Sequence, residues 1–301
     1  MARVNRENLT AAAYIACWKI VRYLPQPVAA WLFERGADYA SDNGAGMEQL
    51  RQNLSRVVGP ENVTRTLVRD SMRSYMRYWL EAFRLPAIHA DPSLYEQLLA
   101  GMRGKEHSDA SIASGRGVIF ALPHSGNWDM AGVFCVNHYG GFTTVAERLK
   151  PEALFDAFVD YRESLGFTVL PLTGASASPF PRLKDTLERG GVVCLLAERD
   201  LTRTGVTVDF MGEDANVAAG PAQLAIETGA ALHVVHSYFD GDGWGLSVSP
   251  EIEVTTLQET CQRMADGFAD NIREHPEDWH MLQPQWNTDV ERRRHKQRDT
   301  Q

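Results

Sequence analysis

The sequence predicts an α/β fold: a mostly parallel central sheet covered by helices, with a helical N-terminal region. Three observations carry this. Residues 8 to about 102 read helical, with apolar residues at three- and four-residue steps. From about residue 115, short apolar runs alternate with helical stretches, the pattern of parallel strands buried on both faces. No internal repeat or low-complexity linker interrupts the 301 residues. The chain therefore reads as one domain, 1–301, helical over 1–110, α/β over 111–290, with a basic and mobile tail over 291–301.

The elements follow in order. Asn8 or Thr10 can cap a first helix reaching about Tyr23, where Pro25 and Pro27 stop it, and Pro27 suits the first turn of the next. Residues 43–46 read as a loop and 47–58 as a helix. The clearest helix spans 61–85: Val68, Met72, Tyr75, Met76, Trp79 and Phe83 recur at steps of four, three, one, three and four, and Pro86 is expected to end it. Strands are expected at 117–122, 142–146, 167–172, 191–197 and 230–239, with a hairpin partner at 245–248 after Gly241-Asp242-Gly243. Helices are expected between them, at 126–137, 151–165, 181–188 and 220–228, and a last one at 259–273.

Charge narrows the function. Thirty Lys and Arg against 39 Asp and Glu give a net −9, which argues against a uniformly basic nucleic-acid binder. Residues 1–35 hold five basic and two acidic side chains, as do residues 290–301, so each end is +3 and the middle −15. Two basic ends on an acidic body suggest a face that meets something anionic. Tyr14, Trp18, Tyr23, Trp31 and Phe33, interleaved with Lys19 and Arg22, fit either a membrane-docking surface or a buried helix pair. Arg65, Arg69, Arg73 and Arg77 lie four apart on one face, as a solvated face or as a basic strip for a phosphate. No stretch has the roughly 18 apolar residues that span a bilayer. Cys17, Cys135, Cys194 and Cys261 are scattered, mostly in apolar runs, as reduced packed cysteines would be.

Two strand ends carry candidate chemistry, because sites in such sheets gather at the carboxyl ends of strands. In Leu122-Pro123-His124-Ser125-Gly126-Asn127-Trp128-Asp129 an imidazole follows a buried strand in a loop that opens a helix. In Leu195-Leu196-Ala197-Glu198-Arg199-Asp200 a very apolar strand ends in charge. Either Glu198 or Asp129 can orient the His124 ring and stabilise its protonated form. Arg199 and Asp200 can pair with each other or serve the site. A serine hydrolase would want Gly-x-Ser-x-Gly, and the segment around Ser176 lacks the second glycine. His233 and His236, three apart in a strand, face opposite sides, which argues against shared metal ligation.

The motifs in order resemble the glycerolipid acyltransferase superfamily, and within it the bacterial lipid A biosynthesis acyltransferase family. His124 to Asp129 looks like its His-x-x-x-x-Asp lead motif. Glu147-Arg148-x-Lys150 resembles the second block, and Tyr161-Arg162-x-x-x-Gly166 with Val169-Leu170-Pro171-Leu172 the third. Ala197-Glu198-Arg199-Asp200, Val208-Asp209-Phe210-Met211-Gly212 and Ala219-Gly220-Pro221-Ala222-x-Leu224-Ala225 resemble the long fourth. His275-Pro276-Glu277-Asp278-Trp279 with Gln285-Trp286 resembles the last. The resemblance covers roughly residues 45–288. Most lipid A enzymes carry Glu at the position of Asp129 and Asp at that of Glu198. Here the two acids are exchanged, which points away from lipid A as substrate and towards the actinobacterial branch that acts on phosphatidylinositol mannoside.

The resemblance implies direct acyl transfer from acyl-CoA, in particular palmitoyl-CoA, to a sugar hydroxyl of an anionic glycolipid, with neither cofactor nor metal. A neutral His124 takes the hydroxyl proton and returns it to the leaving thiolate. Glu198, or else Asp129, orients the ring. Arg162 or backbone N–H groups near Gly126 serve the oxyanion, and Arg148, Arg162, Glu147 and Arg199 line the donor site. The implied setting is peripheral, on the cytoplasmic face of the cell membrane. The alternatives are a non-catalytic membrane lipid-binding protein, or an acyltransferase for another glycolipid or a lysophospholipid.

Overall fold

The computed structural model describes residues 18, 20–147, 152–172, 178–200 and 204–299, apart from the side chains of residues 294 and 296–299. Residues 20–23 are helical, and α1 (Gln26–Ala40), α2 (Glu48–Val58), α3 (Arg65–Ile88) and α4 (Pro92–Ala100) follow. A short strand β1 (Met102–Arg103) and helix α5 (Lys105–Ala113) lead into the alternating part. There β2 (Val118–Leu122), α6 (Trp128–Tyr139), β3 (Thr143–Ala146), α7 (Glu152–Ser164), β4 (Thr168–Pro171), α8 (Phe180–Glu188) and β5 (Val192–Leu196) follow one another. Then come β6 (Val206–Phe210), β7 (Glu213–Val217), α9 (Gly220–Thr228), β8 (Ala231–Asp240), β9 (Gly243–Val248), α10 (Leu257–Glu274) and α11 (Asn287–Asp299).

Seven strands form one sheet in the order β1-β9-β8-β2-β5-β3-β4, antiparallel only between β8 and β9. Strand β2 lies at its centre and is buried along its whole length. Its side chains alternate between two apolar layers: Ile119 and Ala121 pack with α8, α9 and α10, whereas Val118, Phe120 and Leu122 pack with α3, α4, α6 and α7. Covering both faces explains why the strands read as continuous apolar runs. The expected α/β fold, with its helical N-terminal region, is the observed one.

The departures have local causes. Helix α3 does not stop at Pro86 but runs to Ile88, because Leu85 is fully buried and the His89 N–H closes on the Leu85 carbonyl at 2.9 Å. The β6–β7 hairpin went unread. Its turn puts Met211 at φ 58° and Gly212 at φ 89°, and methionine is a rare residue for that region. The tail is helical as far as Asp299, since the first turn of α11 is moored by a buried Asp289, whose carboxylate takes Arg56 Nη1 at 2.9 Å.

The arginines of α3 are mostly committed to the fold. Arg73 grips buried Asp38 of α1 through two hydrogen bonds of 2.7 and 2.8 Å, and this contact holds the Asp38 carboxyl below its ordinary range. Arg77 bonds Glu81, donates to the carbonyls of Gly241, Asp242 and Gly243, and lies 4.0 Å over the Phe239 ring. Arg69 pairs with Asp70, and Arg65 is exposed. The strip therefore ties α3 to α1 and to the β8–β9 turn. Arg73→Ala is expected to lower the unfolding free energy by about 1–3 kcal/mol, the cost of leaving a buried acceptor short of its donor. Arg65→Ala should stay within about 0.5 kcal/mol of the parent, with urea titration measuring both variants.

Candidate active site

Strands β2 and β5 run side by side with Leu122 opposite Leu196, and the Ala197 N–H extends the ladder to the Leu122 carbonyl at 2.9 Å. This register brings the residue two past each strand end to the same height. His124 and Glu198 meet there: Nδ1 of the ring lies 2.7 Å from Glu198 Oε1, and the His124 backbone N–H donates to the same oxygen at 2.8 Å. Glu198 is 0% exposed, whereas the His124 side chain is 31% exposed. A carboxylate only accepts, so Nδ1 carries a proton, and in the neutral ring the lone pair is on Nε2.

The loop holding His124 is bound at nearly every residue. The His280 N–H donates to the His124 carbonyl at 2.8 Å. Ser125 Oγ meets His236 Nε2 at 2.9 Å, and its carbonyl accepts from the Ser237 hydroxyl. Gly126 sits at φ 53°, and a Cβ there would come within 2.5 Å of the Ser237 carbonyl oxygen, so only glycine fits. Asn127 caps α6 by accepting from the Met130 N–H, and its amide donates to Glu81 at 2.7 Å. Trp128 stacks on Tyr78 at 3.9 Å and stands edge-on to the His124 ring at 5.4 Å.

Asp129 is not the partner of His124. Its carboxylate accepts from Arg162 Nε at 2.9 Å and from the Tyr78 hydroxyl at 3.1 Å. Burial works against the Arg162 charge, but the Asp129 carboxylate outweighs it and holds the guanidinium above its ordinary pKa. Among the described residues, neither Nη of Arg162 has a partner. The Gly126 N–H is already given to the Asp278 carbonyl at 2.9 Å, so it is no oxyanion donor. Arg199 does not pair with Asp200, whose carboxylate accepts from the Gly205 N–H. Instead it sits half-buried, its pKa pulled down by burial and supported by the charges of Glu198 and exposed Glu147. Arg148 lies outside the described residues.

Beneath the loop, between α6 and the sheet, lies a small apolar cavity of about 80 Å³. Trp128, Asp129 and Arg162 bound it near His124, and Phe120, Cys135 and Cys194 line its depth. The sequence reading missed Glu81, Tyr78, Ser74 and His280. Ser74, Tyr78 and Glu81 recur on the buried side of α3, and polar groups in an apolar stripe were the available signal. His233 bonds Ser111 and the Ser249 carbonyl while His236 bonds Ser125, so the two imidazoles serve different places.

Compared with known proteins, residues 2–288 match the sequence profile of the bacterial lipid A biosynthesis acyltransferases. The chain belongs to that family and is an acyltransferase. It is similar to the phosphatidylinositol mannoside acyltransferase of Mycolicibacterium smegmatis (strain ATCC 700084 / mc(2)155), 55% identical over 287 residues that cover 94% of this chain and 93% of the relative. It is also similar to the phosphatidylinositol mannoside acyltransferase of Mycobacterium tuberculosis (strain ATCC 25618 / H37Rv), 53% identical over 289 residues covering 95% of this chain and 91% of the relative.

The groups behind the loop titrate far from their ordinary values. Burial pushes the His280 and His236 imidazoles from 6.5 down to about 3, and lifts the Asp278 carboxyl from 3.8 to about 6. Below pH 6.5 the unfolded chain binds protons that the two folded imidazoles refuse, so their contribution to stability is lost as pH falls towards 3. Asp278 works the other way, because the folded chain holds its proton between 3.8 and 6 and stability falls as pH rises through that window. His280→Asn should flatten the acid limb of the unfolding free energy by up to about 1.4 kcal/mol per pH unit. Urea titrations at half-unit steps from pH 7 to 4 measure it; an acid limb as steep as the parent's would mean that His280 titrates normally.

Proposed function

We propose that this acyltransferase moves a long fatty acyl chain, palmitoyl in the first instance, from acyl-CoA to a mannose hydroxyl of phosphatidylinositol mannoside, with His124 as general base. The observation that carries this is a partly exposed imidazole whose Nδ1 is engaged by a buried carboxylate, which leaves Nε2 to act as the base, beside an apolar cavity. The names of the relatives support the acceptor.

The apolar walls of the cavity suit the methylenes of an acyl tail, with the thioester at the end where Trp128 stands against His124. Nε2 takes the proton as the hydroxyl oxygen bonds to that carbon. The tetrahedral intermediate collapses, the C–S bond breaks, and the imidazolium returns its proton to the thiolate. One ester and one thiol replace one thioester and one alcohol. Glu198 stabilises the imidazolium, as the carboxylate of a triad does. The two Nη groups of Arg162, without a partner among the described residues, suit either the oxyanion or a donor phosphate, and Asp129 fixes their direction. Arg199, which feels the charges of Glu198 and Glu147, is proposed with Glu147 as part of the donor site.

The acceptor is a lipid, and α1 offers an approach to its bilayer. Val28, Trp31, Leu32 and Tyr39 lie exposed along α1, Ile20 and Tyr23 are exposed before it, and Arg35 stands among them. Trp18 and Phe33 belong to the interior instead: Trp18 is buried, its Nε1–H donates to the Phe83 carbonyl, and Phe33 packs edge-on to Phe83. Tyr14 and Lys19 lie outside the described residues. No helix among the described residues is long and apolar enough to cross a membrane; the setting proposed is peripheral, on the cytoplasmic face. Aromatic and basic residues on one exposed face favour an anionic interface.

His124→Ala should lower turnover of palmitoyl-CoA with mannosylated phosphatidylinositol about 10³-fold, and Glu198→Gln about 10²-fold, with unfolding midpoints near the parent's. Mass spectrometry of the lipid product reads both; turnover that survives His124→Ala sinks the mechanism. Trp31→Glu with Leu32→Glu should loosen pelleting with anionic vesicles at least tenfold. Equal pelleting of parent and double variant would remove α1 as the docking face.

A further inference from the structure

We propose that Arg293, on the basic C-terminal helix α11, and Arg199, one residue past the carboxylate that holds His124, form a phosphate-binding pair at the rim of the active site. The inference rests on the acyltransferase reading above, because both substrates of that reaction carry phosphate esters: the coenzyme A of the donor and the phosphodiester of the acceptor. Five basic residues lie on α11, at 292, 293, 294, 296 and 298. Neither the packing of the core nor the contact between His124 and Glu198 calls for them. Arg292 is matched by Asp289 at 3.3 Å. Arg293 is exposed, and its Nη1 donates to the side-chain oxygen of Gln283, a neutral group that leaves the charge unmatched. Arg199 is half-buried and makes no hydrogen bond or ion pair among the described residues.

One stretch of chain brings the two arginines to the same edge of the sheet. Gln285 Nε2 donates to the Glu198 carbonyl, so residues 283–287 pass the end of β5. The Asn287 amide donates to Asn216 Oδ1 at 3.2 Å, and the Asn216 carbonyl accepts from the Asp200 N–H at 2.9 Å. Residues 198 and 200 are thus both tied to this stretch, the second through Asn216, and Gln283 at its start holds Arg293. The two charges feel each other: burial first, and the Arg293 charge with it, pulls the Arg199 guanidinium below its ordinary pKa. Like charges in range repel. Other arginines of the fold meet carboxylates, Arg73 at Asp38, Arg56 at Glu213 and Asp289, Arg162 at Asp129. Glu198 and Glu147 offset part of the Arg199 charge, but Glu198 is committed to His124. A phosphate between two guanidinium forks gives each of them charge-assisted hydrogen bonds and removes the repulsion. The carboxyl end of a parallel strand is also where ligands of such sheets bind.

The test is titration calorimetry of the parent, Arg293→Glu, Arg293→Lys and Arg189→Glu with CoA and, separately, with glycerophosphoinositol, a soluble headgroup phosphodiester. Steady-state transfer assays give the KM of each substrate beside it. Arg189 follows α8 and precedes β5, so Arg189→Glu makes the same charge change at the opposite edge of the sheet. Arg293→Glu should weaken at least one ligand about tenfold or more, the low end for hydrogen bonds to a charged group. The matching KM should rise with kcat within about twofold, as loss of uniform binding requires. Arg293→Lys should fall in between, since it keeps the charge and loses the fork. Arg189→Glu should match the parent. Weaker CoA binding assigns the phosphate to the donor and weaker glycerophosphoinositol binding to the acceptor; either supports the pair. An Arg293→Glu protein that binds both ligands as the parent does overturns it, as does a parent that binds neither. Equal weakening by Arg189→Glu overturns it too, because net charge alone then accounts for the effect. Binding lost in Arg293→Glu, from a parent that transfers no acyl group, supports the pair and overturns the transferase reading.

Discussion

The contact between Glu198 and His124 is the constraint on which the rest of the site depends. A fully buried carboxylate is costly unless donors meet it. Here one oxygen takes both the ring and the backbone N–H of the same residue, at 2.7 and 2.8 Å, while Oε2 has no partner among the described residues. The carboxylate is thus supported by the very group it orients. The geometry exists only because β2 and β5 pair with Leu122 opposite Leu196. A one-residue slip would turn one of the two side chains to the other face of the sheet. Burial of alternate residues of β2 and β5 in two apolar layers makes that slip expensive, so the core fixes the chemistry.

A second set of contacts holds the loop in three dimensions. Helix α3 supplies Glu81 and Tyr78, β8 supplies His236 and Ser237, and the segment before α11 supplies Asp278 and His280. Behind them Ser74 bridges Asp278 at 2.6 Å and His280 at 2.9 Å. Elements from both ends of the chain therefore converge on six residues. Such a loop enters a reaction already positioned and has little to reorganise when charge develops. The cost is a cluster of buried titratable groups, His236, His280 and Asp278, each displaced from its ordinary pKa by burial.

What the sequence made legible follows from how local each cause is. Strands buried on both faces announce themselves as apolar runs, and a charged residue at the end of such a run is conspicuous; His124 and Glu198 were both found that way. Which acid faces the imidazole was not legible, because a spacing of five residues says nothing about Arg162 and Tyr78 arriving from other helices to claim Asp129. The arginine strip was ambiguous for the same reason: its partners Asp38 and the β8–β9 turn are distant in sequence. Trp18 and Tyr23 read alike, and only tertiary packing sends one inward and leaves the other exposed.

The two acids also differ in length, and the geometry uses the difference. Glu198 begins on the backbone beyond β5 and must reach across one strand spacing to both N–H groups of His124, which its extra methylene allows. Asp129 begins in the first turn of α6, close to the Tyr78 hydroxyl and the Arg162 guanidinium, where a longer side chain would push the arginine away. With the acids in these positions, the ring's carboxylate and the arginine's carboxylate are separate groups on separate elements. In the proposed mechanism, deprotonating a hydroxyl and holding a negative charge would then draw on independent ion pairs. Protonation of the imidazole would leave the hold on Arg162 intact, so one charge could change while the other stays fixed.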